Sequence, residues 1–422
     1  MEALPRSYRL FLVGNGISQL GDWLRAMAIN WLIVNELRRT SVEGNINRLA
    51  VAIATILFTM IVSSGFASSG LLWKKRRSST GLQAKTVVLI GAVWSMLMSS
   101  LLAGLVAFDM LTFWTLIWLG IAGAAMSVFV GPSTALLDRE LAGQKQLRAQ
   151  LRRDQIMFLM RGFVGIFSGA VLLKGTWLLL AVDALTFLPL IAILCYLRRS
   201  SPVSAGVSEG MLGNSFFRGL GIIFCNGGLL VAFGLSLTRD AFVSIGFSLT
   251  AEIVKLDLKE SGLAYGTWLS ITGFAGFIGS ILYEWLGKGS LARQLPLYAL
   301  CVMGVPLAMI CAGSSPNLTL YTACYAAFVF MVSPADSTFR AIIRGLPTEQ
   351  IGCVDRVNLT LQSGLCPLLW FLVTWAGQSM ELSAQQTLAA SATFGFVSTA
   401  ILLICGFTIV RKRFVRLFDE EQ

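Results

Sequence analysis

The feature that most constrains this chain is a train of apolar stretches, each about 20 residues long, separated by short polar loops rich in Arg and Lys. A helix of that length rises about 30 Å, the thickness of a bilayer's hydrocarbon core. Inside that core every backbone N–H and C=O must be satisfied within the segment, which a helix does and an open strand does not. Stretches near 10–36, 48–72, 86–107, 112–136, 154–173, 176–197, 219–253, 262–286, 294–312, 317–343, 356–377 and 387–410 are therefore expected as twelve transmembrane helices of an all-α membrane protein. Composition agrees, with 55% of residues hydrophobic and 13% charged, against about 25% charged in a soluble domain.

An even number of spans puts both termini on one face, and charge says which. With the termini cytoplasmic, 24 of the 33 Lys and Arg residues fall in inner loops and tails and six, Arg48 among them, in outer loops. This is the positive-inside asymmetry. The net charge of +11 thus reports topology; a nucleic-acid binder would instead gather its basic residues on one face among aromatics. The N-terminal "MEALPRSYRL" leads into an apolar run too long for a cleaved signal peptide, so it reads as a retained first span.

A single Ser/Gly-rich break, residues 198–218, separates a six-helix half (1–197) from a second half (219–422) that ends in a basic tail. The halves look like weak repeats. A shift of 218 lays "GISQLGD" (16–22) on "GLSLTRD" (234–240), and a shift of 202 lays Pro132 on Pro334. Duplicated halves of this kind typify secondary transporters.

The absence of His excludes His-built zinc sites and leaves proton chemistry to carboxylates. The eight Cys residues form no Cys-x-x-Cys and read as small buried hydrophobes. No Gly-rich phosphate loop, nucleophile–base set or soluble catalytic domain is visible. The expectation is a non-enzyme without metal or cofactor, acting as a monomer.

Charges inside the spans are the informative residues, because each costs several kcal/mol unless it finds a partner or a water-filled cavity. Asn15, Gln19 and Asp22 follow i, i+4, i+7 spacing and form one stripe near the midplane, and Arg25 can reach back to Asp22. Two readings stay open: a neutralised pair that fixes packing, or a cavity-facing site for substrate or coupling ion. In span 7, Arg239 and Asp240 are adjacent and so point about 100° apart. Asp240, the repeat mate of Asp22, is expected to face the cavity and Arg239 a neighbouring helix. Arg161, Asp183, and Asp336 with Arg340 four residues later add polar positions, with structural pairing or snorkelling as the competing reading. Glycines at 162, 165 and 169 and at 273, 276 and 279 allow close helix approach, with a sliding or hinge role as the alternative.

"SQLGDWLRAMAINWLI", "GPSTALLDREL" and "LLLAVDALTFLPL" resemble the major facilitator superfamily, nearest its enterobactin-exporter-like and macrolide-efflux-like branch. That resemblance implies a bacterial inner-membrane transporter and assigns conformational roles to Gly70, Lys74, Lys75, Arg76, Arg77, Pro132 and Gly165, to which the glycine spacing adds Gly169 and the cytoplasmic end of span 10 adds Arg340 as gating candidates. Two departures stand out. Lys74 occupies the place of the family's loop Asp, which helps lock one conformation, and Gly165-Ile166 stands where the drug/proton antiporter motif has Gly-Pro.

The expected function is export of an amphipathic organic solute, drug-like or siderophore, by alternating access. Asp22 and Asp240 would carry protons, and Arg25, Arg161 and Arg239 would attract anionic groups. A lysophospholipid flippase has a related helix-1 motif with Asn where this chain has Trp23. A transporter-like membrane partner that no longer transports is the remaining alternative.

Overall fold

The structure, a computed structural model, describes residues 5–35, 37, 41–63, 80–143, 146–172, 174–197, 215–286, 291–344 and 346–419. Every regular element among them is helical. In order these are α1 (Arg6–Asn35), α2 (Ser41–Ser63), α3 (Thr80–Ala107), α4 (Phe113–Ala142), α5 (Gln146–Leu172), α6 (Thr176–Tyr196) and α7 (Ser215–Cys225). The chain continues through α8 (Gly227–Glu252), α9 (Gly262–Leu286), α10 (Leu291–Gly313), α11 (Leu318–Arg344), α12 (Thr348–Thr360), α13 (Cys366–Ser379) and α14 (Ala384–Asp419).

Among the described residues, eight helical stretches are long and apolar enough to cross a bilayer; they lie in α3, α4, α6, α8, α9, α10, α11 and α14. The exterior carries bulky apolar side chains that water would penalise, such as Trp114 (69% exposed), Trp118 (68%) and Phe394 (78%). The chain is an integral, multi-pass membrane protein.

Two of the expected spans have internal structure that periodicity does not reveal. The span at 219–253 is divided at Asn226, whose side-chain oxygen accepts hydrogen bonds from the Gly228 and Leu229 N–H groups at 3.1 and 3.2 Å and so caps a new helix. The span at 356–377 is continuous from α12 to α13 but passes through a π turn, Leu361–Leu365, just before Pro367. Proline has no N–H to give the α ladder, and the wider π turn takes up the mismatch. A second π turn, Ile253–Asp257, ends α8.

The helices before and after the 198–218 break meet along α5 and α9. A Cβ added to Gly273 would come 2.7 Å from the Gly162 Cα, and one added to Gly266 would come 2.7 Å from the Gly169 Cα. The glycine faces thus let the two backbones touch. Phe163 and Phe274 flank the seam edge to face. A second junction joins α2 to α13, where Asn45 donates to the Thr374 hydroxyl at 2.9 Å. Between these junctions an aromatic wall runs from Trp31 on α1 through Tyr265 and Trp268 on α9 to Tyr325 on α11.

Candidate functional site

Three polar assemblies occupy the interior. The first gathers α1, α3 and α6. Asp22 lies 2.5 Å from the Arg25 guanidinium, which also donates to the Ser99 hydroxyl at 3.2 Å and stands 3.7 Å from Asp183. Ser99 in turn donates to Asp183 at 2.6 Å. Asp183 is fully buried, whereas Asp22 keeps 38% of its side chain accessible. Gly21 makes the approach of α6 feasible, because a Cβ there would press on Thr186. Two carboxylates therefore share one arginine. Asn15, on the same face of α1, is buried, and its carbonyl accepts from Ser18.

The second assembly gathers α8, α11, the π turn before α13, and α5. Arg239, 1% exposed, donates to Asp240 at 2.7 and 3.0 Å, to Asp336 at 3.1 Å and to the Ser236 hydroxyl at 3.1 Å. Gln362 donates to the other Asp240 oxygen at 2.5 Å. Arg340 pairs with Asp336 at 2.7 Å and, across to α5, with Asp154 at 3.1 Å. The side chains of Arg239 and Asp240 were expected to diverge. Instead the long guanidinium folds back onto its neighbour, since side-chain length overrides the 100° step of the helix.

The third assembly is a cavity of about 350 Å³ where α1, α2, α5, α8, α11 and α13 converge. Its apolar lining includes Val51, Val243, Phe247, Phe328 and Trp370, and its charged lining is Arg48 and Arg161. Arg161 is 4% exposed and lies over the Trp23 ring at 4.7 Å. Its hydrogen bond to the Thr272 hydroxyl, at 3.3 Å, is long. Arg48 donates to Asn30 at 2.5 Å and sits 5.4 Å from the Trp370 ring centroid.

Of the charges singled out in the sequence, only Arg161 lines this cavity; Asp22, Arg25, Asp183, Arg239, Asp240 and Asp336 are held in the other two assemblies. Asp240 in particular turns to Arg239 and Gln362 rather than toward the cavity. The charge asymmetry places Arg48 in an outer loop. α2 begins seven residues earlier than Arg48, at Ser41, which carries Arg48 two turns into the helix and to the cavity wall. The signal for it was the polar string "NINR" leading directly into an apolar run.

Gly165 and Gly169 lie on the α5–α9 seam, facing Gly266 and Leu263. Pro132 lies within α4, and Arg340 near the end of α11. Gly70, Lys74, Lys75, Arg76 and Arg77 lie outside the described residues. Among the described residues no three His, Cys, Asp or Glu side chains cluster as a metal site would require, and the cysteines are free thiols.

No family model and no curated protein sequence matches the chain. Solved structures do. A bacterial homologue of the human lysosomal transporter Spinster, in an inward-facing, unoccupied conformation, superposes with a TM-score of 0.63 at 12% identity, covering 99% of this chain and 98% of that one. The nucleoside transporter NupG gives 0.67 at 11% identity, covering 96% and 99%. A bacterial homologue of the iron transporter ferroportin, in an outward-facing state, gives 0.60 at 16% identity, covering 94% and 99%. At such identities the likeness is one of fold, which this chain shares with these transporters over nearly its whole length.

Proposed function

We propose that this protein is a secondary transporter that moves an amphipathic organic solute by alternating access, with the cavity as its binding site. The observation that carries the reading is the cavity's position: α1, α2 and α5 precede the 198–218 break and α8, α11 and α13 follow it, so both sets of helices wall the same space. A site between two rigid sets opens to one face or the other when they rock, which couples binding to reorientation. In this reading twelve spans form two halves, 1–197 and 219–422, with 198–218 as a cytoplasmic linker and both termini cytoplasmic. Export across a bacterial inner membrane is the direction and place implied by the sequence resemblance.

Proton coupling falls to Asp22 and Asp183 in this proposal, not to Asp240. Arg25 neutralises one of the two carboxylates, so a single proton makes the cluster neutral and loosens the tie from α1 to α6. Asp240 is held by Arg239 and Gln362 and serves packing. A protein that had lost transport would be expected to have all its interior charges paired with one another and no cavity; Arg48 and Arg161 at the cavity wall argue against it.

The test uses a cysteine at position 244, on the cavity wall, in a background with the eight native cysteines replaced. A membrane-impermeant maleimide should label it from either face of sealed vesicles of opposite orientation. Labelling confined to one face under every condition, or absent from both, overturns alternating access.

A further inference from the structure

We propose that the cavity's ligand is an organic anion, an acid group carried on a compact apolar or aromatic body, clamped by Arg48 and Arg161. The inference rests on the cavity being the substrate site and names the class of substrate.

Its origin is an imbalance of charge. Arg25, Arg239 and Arg340 each have a carboxylate partner within 3.1 Å. Among the described residues no carboxylate pairs with Arg161 or Arg48. A guanidinium offers five donors, yet Arg161 makes one long hydrogen bond, and its buried Nε has no partner. Removing such a cation from water costs several kcal/mol. The ring faces of Trp23, Phe247 and Trp268, at 4.7, 5.8 and 5.9 Å, return only part of that cost. An oxyanion supplies the remainder, through the fork geometry that arginine presents to carboxylate, sulfonate or phosphate groups.

Two further features fit the same occupant. The Trp370 Nε1–H, on the cavity wall beside Arg48, is a second buried donor without a partner. Apart from Asn47, whose buried Oδ1 is an unpartnered acceptor, and Ser244, the rest of the lining is apolar and aromatic, which suits the body of such a ligand and not a bare inorganic ion. The volume of about 350 Å³ lies at the low end of small-molecule sites, about 300–1,000 Å³, and so favours a body of one or two rings.

The experiment measures binding to the purified full-length chain in detergent by calorimetry, using naphthalene-2-sulfonate, its neutral analogue naphthalene-2-sulfonamide and the cationic 2-naphthylmethylamine. The sulfonate should bind at least tenfold more tightly than either. Arg161→Gln and Arg48→Gln should each weaken the sulfonate tenfold or more and leave the sulfonamide unchanged. If Arg161→Gln does not give a monodisperse protein, Arg161→Lys, which keeps the charge and loses the fork, should retain part of the preference. Equal affinity for the three probes, preference for the neutral or cationic one, or no measurable sulfonate binding overturns the proposal. Labelling at position 244 needs no ligand, so failure of the anion class and failure of alternating access are read separately.

Discussion

Asp183 shows what burial demands of a single residue. It is fully enclosed, accepts from Ser99 at 2.6 Å and stands 3.7 Å from the one arginine it shares with Asp22. Replacing it with Asn removes a carboxylate to which the proposed coupling assigns a proton while keeping the size and the hydrogen bond. The expected result is that the face from which position 244 is labelled shifts with pH in the parent protein and stops shifting in Asp183→Asn; an unchanged pH response would assign coupling elsewhere. Arg239→Gln should act differently, on stability. It leaves the part-buried Asp240 without its cation while Asp336 keeps Arg340, a loss of about 3 kcal/mol, the low end of the cost of breaking a buried pair. Thermal unfolding in detergent would register it as a lower midpoint. Sequence spacing alone was enough to find the pairs Asp22–Arg25 and Asp336–Arg340, because partners three or four apart on a helix must meet. It could not find Asp183 for Arg25 or Gln362 for Asp240, which come from other helices.

At the scale of elements, glycines decide which helices touch. Gly273 abuts the backbone of α5 at Gly162, so Gly273→Leu has no room for its side chain and should force α5 and α9 apart. Its measurable sign is loss of the monodisperse peak in size-exclusion chromatography. Gly104, on α3, is the control: an added Cβ meets nothing within 4 Å, so Gly104→Ala should raise stability by up to about 1 kcal/mol through helix propensity alone. Element positions were legible because a helix must be apolar and about 20 residues long to cross a bilayer. The break at Asn226 and the π turn at Leu361–Leu365 were not, since a cap inside an apolar run and one extra residue in a turn leave the hydropathy untouched.

For the whole molecule, the contact that matters is the ion pair between Arg340 on α11 and Asp154 on α5, which ties helices from before and after the central break. In the proposed layout both ends lie toward the cytoplasm, so the pair acts as a strut on that side. Arg340→Gln should increase labelling of position 244 from the cytoplasmic face relative to the outer face. A ratio that does not move would make the pair a packing contact only.

The sequence by itself determined that the chain is helical and lives in a bilayer, because a long apolar segment has no other way to satisfy its backbone in lipid. It also marked which residues carry interior charge, since charge stands out against an apolar background. Tertiary structure decided which of those charges are spent on one another and which face open space. Asp240, expected at the cavity, is engaged with Arg239 and with Gln362 from 122 positions away, Arg239 reaches Asp336 97 positions away, and Asp22 is paired with Arg25 on its own helix, whereas Arg161 and Arg48 stand at the cavity wall. Helical periodicity fixes a face but not what lies opposite it, and that opposite face is what turns a charge into a strut or a site.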